Sequence, residues 1–259
     1  MNTAKISLGF HSNHDIKELV EFADYANRLG FHRIWMDDPP DSTNPLSVTQ
    51  QIRKQLGGKI RVGLGALSTA KWINYEPKRL LGQIERDTEL AIAPGDVKEL
   101  TDSFKRGIII THMKKLLLAA KALGLTTFLA AQGPSLLRYA KRVDGAMVNF
   151  INPDPVRWAL SQTGKINVKC LGPSLVYKNR FTQQEYRKLI AGANVVRKGA
   201  GIAVRKLFPA LTDYYLLADL EQASTIVDSL SESGVQEIIL SYPQTMSKKL
   251  ITAASTLLG

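Results

Sequence analysis

The stretch KISLGFHSNHDIKELVEFADYANRLGFHRIWMD, residues 5–37, decides the fold because it contains a strand, a helix and a second strand in turn. Lys5–Phe10 and Arg33–Asp37 are short apolar segments, as strands buried in a sheet are. Between them, apolar residues recur at helical spacing from Ile16 to Leu29. A strand, a helix and a strand in this order predict two parallel strands joined by a right-handed crossover.

The same unit recurs along the whole chain. The predicted strands are residues 5–10, 33–37, 60–66, 90–94, 126–131, 146–150, 166–171 and 237–241. The predicted helices cover residues 16–29, 45–56, 77–88, 102–123, 136–143 and 153–163, with a last helix from about residue 245. Eight such units in 259 residues predict one α/β domain over residues 1–259, a (β/α)8 TIM barrel. Only helical patterning occupies residues 172–235, which predicts an irregular helical insertion before the last strand; an open doubly wound sheet is the alternative fold.

The composition is that of a soluble globular protein, with 44% apolar and 22% charged residues. No apolar run reaches the roughly 18 residues needed to cross a bilayer, and the N-terminal residues lack the apolar core of a signal peptide. We therefore expect a soluble, cytoplasmic protein that does not associate with a membrane. The single cysteine, Cys170, excludes an internal disulfide and a cysteine-rich metal site.

The charge is the most unusual property of the sequence. Lys and Arg number 34 against 23 Asp and Glu, which gives a net charge of +11. Such a field attracts phosphorylated or polycarboxylate ligands. The basic residues are scattered in pairs, no nucleic-acid-binding motif is present, and we expect no nucleic-acid partner. His11 and His14 are three residues apart, but no set of carboxylates completes a metal site, so we expect no metal.

Several motifs occur together in the order of a known family. They are Ile6–Phe10 (ISLGF), Leu29–Asp38 (LGFHRIWMDD), Ile60–Gly65 (IRVGLG), Ala91–Asp96 (AIAPGD), Leu129–Pro134 (LAAQGP), Arg142–Gly145 (RVDG) and Ser233–Leu240 (SGVQEIIL). Together they resemble the luciferase-like flavin and deazaflavin oxidoreductase superfamily. The resemblance is greatest to its methylenetetrahydromethanopterin reductase-like branch, which uses coenzyme F420, an 8-hydroxy-5-deazaflavin. The resemblance implies a TIM barrel with an insertion before the last strand.

The resemblance also implies where the coenzyme lies. In the family the tricyclic ring rests at the C-terminal ends of the strands, against a bulge with a cis peptide bond in the third strand. By position this bond is Gly65-Ala66. The turn Gln132-Gly133-Pro134-Ser135 corresponds to the one that holds the coenzyme phosphate. Its backbone N–H groups and the Ser135 hydroxyl suit an anion.

Other positions are assigned to the site by the same resemblance. Asp38 corresponds to a residue beside the coenzyme ring, although Pro39 stands where the family usually has a histidine that donates a proton in some members. Pro94 and Gly95 correspond to a turn beside the coenzyme. Phe10, His11 and Trp72 are expected to line the substrate pocket. No residue is assigned a catalytic role.

The resemblance thus implies an oxidoreductase that uses F420 for hydride transfer to or from a small organic substrate. A methylene-pterin-like carbon carrier is the substrate that the branch suggests. One alternative is an FMN-dependent luciferase-like monooxygenase. A second is a barrel that binds a flavin-like ligand, or none, and has a regulatory role. We expect a homodimer or a higher homo-oligomer, as relatives form.

Overall fold

The computed structural model describes residues 4–38, 44–95 and 100–258. Its strands are β1 (Lys5–Phe10), β2 (Arg33–Met36), β3 (Arg61–Ser68), β4 (Leu90–Ala93), β5 (Thr127–Ala130), β6 (Gly145–Val148), β7 (Asn167–Tyr177), β8 (Leu216–Asp219) and β9 (Val235–Ser241). Its helices are α1 (Ile16–Arg28), α2 (Pro45–Leu56), α3 (Pro77–Leu81), α4 (Ser103–Ala122), α5 (Pro134–Tyr139), α6 (Pro153–Thr163), α7 (Gln183–Gly199), α8 (Ile202–Leu207), α9 (Leu220–Glu232) and α10 (Lys248–Ser255). None of the helices in these ranges has the length and apolar content needed to cross a bilayer.

Eight of the strands close a parallel barrel. β1 to β6 are paired in sequence order, β6 pairs with β7, β7 pairs with β9, and β9 pairs with β1. The helices between consecutive strands surround this barrel, so the predicted (β/α)8 architecture is confirmed and the open sheet is excluded. The predicted helix over residues 153–163 coincides with α6.

Two predicted segments are wrong. The helix expected over residues 77–88 ends at Leu81, because the next residues form a turn in which Glu85 and Asp87 bind Arg53 of α2. The expectation of helices alone in residues 172–235 also fails, since β8 lies there. It pairs with the end of β7, which continues past the predicted Leu171 to Tyr177 and leaves the barrel to do so. β8 is followed at once by α9, which begins at Leu220, so its apolar residues were taken as part of a helical segment.

The middle of the barrel is filled by large side chains. Trp35, Phe128, Met147 and Ile239 pack there with Ala91. The neighbouring strand β3 can pass Trp35 only because it carries glycine: a Cβ on its first glycine, residue 63, would lie 2.6 Å from the Trp35 ring. The indole of Trp35 therefore requires glycine at position 63 of β3.

A cluster of charges lies inside the barrel, near the N-terminal ends of the strands. The Glu237 carboxylate accepts hydrogen bonds from Arg33 Nη1 at 2.8 Å and from Trp35 Nε1 at 2.9 Å. Lys169 forms ion pairs with both Glu237 and Glu89, and Arg33 Nη2 lies 2.6 Å from Glu89. We call Arg33, Glu89, Lys169 and Glu237 the internal ion cluster. It joins β2, β7, β9 and the residue before β4.

The charges of the cluster balance each other. Burial would raise the pKa of Glu237, but the charges of Lys169 and Arg33 and the hydrogen bonds from Lys169 and Ser7 outweigh it and lower that pKa to about 2. Glu237 therefore stays ionised inside the barrel, where an unpaired charge would be very unfavourable.

Replacing Glu237 with glutamine leaves Arg33 and Lys169 with one carboxylate between them. Loss of one partner of a buried ion pair costs about 3–5 kcal/mol, and we expect the free energy of unfolding in urea at neutral pH to fall by about that amount. The matched control is Glu21→Gln, which removes an exposed carboxylate 3.5 Å from Lys248 and is expected to cost less than about 1 kcal/mol. Equal losses in the two variants would contradict the role of the cluster.

The same carboxylate gives the protein a defined acid sensitivity. Glu237 has a pKa of about 2 in the folded state, below its ordinary value of 4.5. The unfolded chain therefore takes up the proton first as the pH falls, so the stabilisation is complete above pH ~4.5 and is lost towards pH ~2. We expect the free energy of unfolding of the wild type to fall across this window. Glu237→Gln should lack the part of this fall that comes from Glu237. Parallel pH profiles of the two proteins would show that Glu237 is not the group responsible.

Candidate functional site

The C-terminal ends of the strands form a shallow mouth with an apolar floor. Ala66, Ala93, Ala130 and Leu171 are partly exposed there, at the ends of β3, β4, β5 and the barrel part of β7. Ala66, Ala130 and Leu171 pack on the buried layer that contains Trp35. We call these four residues the mouth floor. Three of the four are alanines on the neighbouring strands β3, β4 and β5, so this part of the floor consists of small side chains.

The end of β3 has the unusual backbone that the sequence predicts. The peptide bond Gly65-Ala66 is cis, and the register between β3 and β4 shifts between Leu64 and Leu67. A methyl group on Gly65 would lie 2.9 Å from the Cβ of Ala91, so glycine is required at this close approach. Both the bulge and the cis bond of the prediction are confirmed.

Asp38 follows β2 and lies against the end of β3 and the residues after it. Its side chain is fully buried, and its carboxylate accepts hydrogen bonds from Lys71 Nζ at 2.6 Å, Trp72 Nε1 at 2.6 Å and the Ser68 N–H at 3.2 Å. The carboxylate thus fixes the segment after β3 to the end of β2. A direct contact of Asp38 with a coenzyme stays a prediction, and Pro39 lies outside the described residues.

The turn after β4 contacts the segment that Asp38 holds. The Ala70 N–H donates to the Pro94 carbonyl at 3.1 Å, and the Thr69 N–H donates to the Ala93 carbonyl at 2.9 Å. Gly95 follows with a φ of 130°, a conformation that favours glycine. The structure therefore brings the predicted residues Pro94 and Gly95 beside the end of β3.

The predicted phosphate turn follows β5 at the same mouth. The Gln132 side chain donates from Nε2 to the Asn149 carbonyl at 3.2 Å, which ties this turn to the end of β6. Gly133 precedes α5 and provides no side-chain cap, Pro134 is the first helical residue, and Ser135 is exposed. The geometry leaves the start of this turn open to the mouth.

A histidine and an aspartate form a pair at the ends of β1 and β2. His11 Nδ1 is hydrogen-bonded to one carboxylate oxygen of Asp37, and the other oxygen accepts from the Ser12 N–H at 3.1 Å. The His11 ring lies 5.3 Å from that of Tyr242, and 37% of its side chain is exposed. A carboxylate hydrogen-bonded to one ring nitrogen fixes the orientation of the imidazole. The pair therefore places a partly exposed, oriented imidazole at the mouth.

The other two predicted pocket residues are buried. Phe10 packs against Phe22 of α1 at 6.3 Å between ring centres, on the outside of the barrel wall. A role in lining the substrate pocket does not fit this position, because neighbouring strand residues face opposite sides and Gly9 faces the interior. Trp72 lies near the mouth but only 6% of it is exposed, and its indole serves as a donor to Asp38.

The insertion covers one side of the mouth. On α7, a methyl group at Gly192 would lie 3.3 Å from Pro173, and one at Gly199 would lie 3.9 Å from Gln132 Oε1. Lys188 Nζ lies 5.6 Å from the centre of the Tyr242 ring, which follows β9. The helix therefore crosses from the end of β9 to the end of β5, roughly 16 Å at 1.5 Å per residue.

Sequence reasoning missed Asp37 as the partner of His11 and missed the whole internal ion cluster. A signal was present for the cluster: Arg33, Lys169 and Glu237 occur at or near the start of strongly apolar strands. A charged residue inside a buried strand is rare unless it is paired. The pairing itself joins strands that are far apart in the sequence, so only the closed barrel reveals it.

The sequence matches no protein-family model and no curated protein. The structure is similar to solved structures over nearly its full length. One is a coenzyme F420-dependent tetrahydromethanopterin reductase from Methanopyrus kandleri, with 13% identity, a TM-score of 0.79 and coverage of 99% of this chain and 98% of that one. Another is an F420-dependent secondary alcohol dehydrogenase in complex with an F420–acetone adduct, with 12% identity, a TM-score of 0.71 and full coverage of both chains, 100% each.

A monooxygenase from Streptomyces bottropensis is also similar, with 12% identity, a TM-score of 0.67 and coverage of 98% of this chain and 97% of that one. At this level of identity the three comparisons establish a shared fold. They agree with the superfamily to which the sequence motifs point, and they include both F420-dependent enzymes and a monooxygenase. The fold therefore does not choose between the two coenzymes.

Replacing Asp38 with asparagine tests whether this residue supports the mouth. The variant removes the charge that faces Lys71 and puts an amide near two N–H donors. Hydrogen bonds to a buried charged group contribute about 1.5–3 kcal/mol, so we expect the free energy of unfolding to fall by about 2–3 kcal/mol. Asp24→Asn, which breaks an exposed pair 3.3 Å from Arg28, is the control and should cost less than about 1 kcal/mol. Unchanged stability in Asp38→Asn would mean that its contacts do not hold β3 in place.

Proposed function

We propose that this protein is a luciferase-like oxidoreductase that uses the deazaflavin coenzyme F420 for hydride transfer to or from a carbon of a small organic substrate. The sequence motifs and the likeness in fold to two F420-dependent enzymes support this proposal. Substrates of the branch that the motifs resemble suggest a methylene-pterin-like carbon carrier. We also expect a cytoplasmic homodimer or higher homo-oligomer without nucleic-acid or membrane partners.

The mouth floor is the observation that carries the proposal. Ala66 and Ala130 pack on the layer that fills the barrel, and Ala93 is partly exposed at the end of the strand between theirs. A planar tricyclic ring fits this floor because it can bury one whole face there. Burial of apolar area contributes roughly 25 cal/mol per Å². The bulky layer beneath the floor keeps the ring at the mouth and out of the barrel.

The remaining contacts would be made by residues around the floor. The turn from Gln132 to Ser135 would hold the coenzyme phosphate through its backbone N–H groups and the Ser135 hydroxyl. Asp38, Pro94 and Gly95 would shape the edge of the ring site. F420, when bound, supplies a hydride donor or acceptor that reacts with a carbon centre.

The groups of this chain have separate tasks in such a reaction. The floor and the turn position the ring, and α7 excludes water from one side of the mouth. The His11–Asp37 pair would present an oriented imidazole at the mouth to a substrate that gains or loses a proton when it is reduced or oxidised. This pair would serve at the mouth where the family histidine is replaced by Pro39.

A monooxygenase that uses FMN is the second candidate, favoured by the likeness to the Streptomyces enzyme. The same floor accepts either ring system. A barrel without catalytic activity is the third, motivated by Pro39 in place of the family histidine. Ligand preference separates the three.

Fluorescence titration of the purified protein with F420 and with FMN tests the proposal. We expect tighter binding of F420. Ala130→Leu fills the floor and should weaken F420 binding at least tenfold, which corresponds to about 1.4 kcal/mol, because the added methyl groups occupy the space of the ring. The control Ala122→Leu adds the same atoms at the exposed end of α4 and should leave binding unchanged.

Each other outcome excludes a part of the proposal. Preference for FMN would assign the protein to the monooxygenases. Binding of neither ligand by the folded protein would support the non-catalytic barrel. Equal affinity in Ala130→Leu and wild type would show that the ring does not rest on the floor.

A further inference from the structure

A cavity of about 500 Å³ opens between the first half of α4 and the segment after β3. Sites for small ligands usually have volumes of about 300–1,000 Å³ and mostly apolar walls. The described residues that line this cavity include none of those assigned above to the coenzyme. We call it the α4 cavity. Its walls include Phe104, Gly107, Ile108, Thr111 and Lys115 on α4, and Ile73 on the facing segment.

The α4 wall exposes large apolar side chains. Phe104 is 76% exposed and Ile108 is 45% exposed. They are four residues apart on the helix, so they are neighbours on one face. Adjacent exposed apolar side chains beside a cavity are typical of a binding surface. A ligand that covers them would gain free energy from the apolar area that it removes from water.

Gly107 lies between these two side chains in the helix and leaves the wall open. A methyl group added there would meet no protein atom within 4 Å, so packing does not require glycine. Glycine is one of the least favourable residues in the interior of a helix. The bare backbone leaves a gap of about 10 Å between the turns of Phe104 and Thr111, at 1.5 Å per residue. A flat ring can lie in this gap.

The charge of this wall favours an anion. α4 carries five Lys and Arg and no acidic residue. One of them, Lys115, lines the cavity, and its side chain points back along the helix towards Gly107. His112 is also in the wall, but burial and the charge of Lys115 lower its pKa, so it is neutral at pH 7. A negatively charged group would be attracted here, and an ammonium group would be repelled.

The facing wall belongs to the segment that Asp38 holds. Ile73 follows Trp72, whose indole donates to Asp38 at 2.6 Å, and the His112 ring is hydrogen-bonded to the Trp72 backbone. These contacts fix the distance between the two walls. The α4 cavity is therefore a neighbour of the mouth, but its lining residues are different from those of the mouth floor.

We propose that the α4 cavity binds a small aromatic carboxylate, with its ring on the backbone at Gly107 and its carboxylate at Lys115. The ring would cover Phe104 and Ile108, and the carboxylate would supply the negative charge that α4 lacks. The proposal concerns a separate site, so it does not rest on the proposed function.

The first test uses three probes that share a naphthalene ring and differ in the head group: naphthoate, naphthylmethanol and naphthylmethylamine in its cationic form. Isothermal titration calorimetry with the full chain measures their affinities. We expect naphthoate to bind most tightly and the amine most weakly, with a difference that decreases as salt screens the charges. Equal affinities for the three probes would contradict recognition of the carboxylate.

Gly107→Leu tests the place of the ring. The new side chain occupies the gap, and naphthoate affinity should fall at least tenfold. Leucine is the better helix former, so the variant should melt at the same temperature as the wild type or higher. The control Ala122→Leu introduces leucine at the exposed end of the same helix and should leave affinity unchanged. Equal affinity in Gly107→Leu and wild type would exclude the α4 cavity as the site.

Lys115→Gln tests the place of the carboxylate. We expect a loss of about threefold for naphthoate, the size of one exposed ion contact, and none for naphthylmethanol. The control is Lys114→Gln, which removes the same charge from a side chain that lies 5.7 Å from the Tyr139 ring centre and outside the cavity lining. An equal loss in both variants would show that the net charge of the helix acts and not Lys115.

Ala130→Leu separates the α4 cavity from the mouth floor, where a flat ring could also rest. We expect this variant to bind naphthoate as the wild type does. Loss of affinity in Ala130→Leu but not in Gly107→Leu would place the ring on the mouth floor and overturn the proposal. The absence of naphthoate binding to the folded wild type at millimolar concentration would also overturn it. The F420 titrations described above test the proposed function separately.

Discussion

The rest of this structure depends on the ion pairs that two carboxylates and two cations form inside the barrel. The internal ion cluster is located where β2, β7 and β9 begin, and each of its charges depends on a partner from a different strand. A buried charge without its partner is unfavourable, so a shift in strand register that separates these four groups would destabilise the barrel. The cluster fills the barrel near the N-terminal ends of the strands, so a ligand site is left at their C-terminal ends.

The order of layers along the barrel axis follows from this arrangement. Above the cluster, Trp35 donates to Glu237 and fills the middle together with Phe128, which also faces the Lys169 ammonium at 4.4 Å from the ring centre. Above that layer the side chains become small, and the mouth floor begins. The gradient from charged to bulky to small explains why a ligand ring would remain at the mouth, where α7 and the His11–Asp37 pair are placed.

The sequence predicts the barrel and the backbone of the mouth well, because both leave local signals. Alternating strands and helices predict the fold, and the motif around Gly65 predicts the bulge and the cis bond that the structure contains. Charged residues within apolar strands are a local sign of the internal ion cluster, but its pairing and the Asp37 partner of His11 join residues far apart in the sequence and were missed. The insertion was misread where β8 runs directly into α9, and Phe10 was placed in the pocket although the strand turns it outward.

The central claim is that the mouth floor holds the ring of a deazaflavin coenzyme. The most direct measurement is a crystal structure of the protein with F420. The account predicts electron density for the ring against Ala66, Ala93 and Ala130, with the phosphate at the turn from Gln132 to Ser135. A ring bound elsewhere on the protein, with the floor empty or covered by protein side chains, would contradict it.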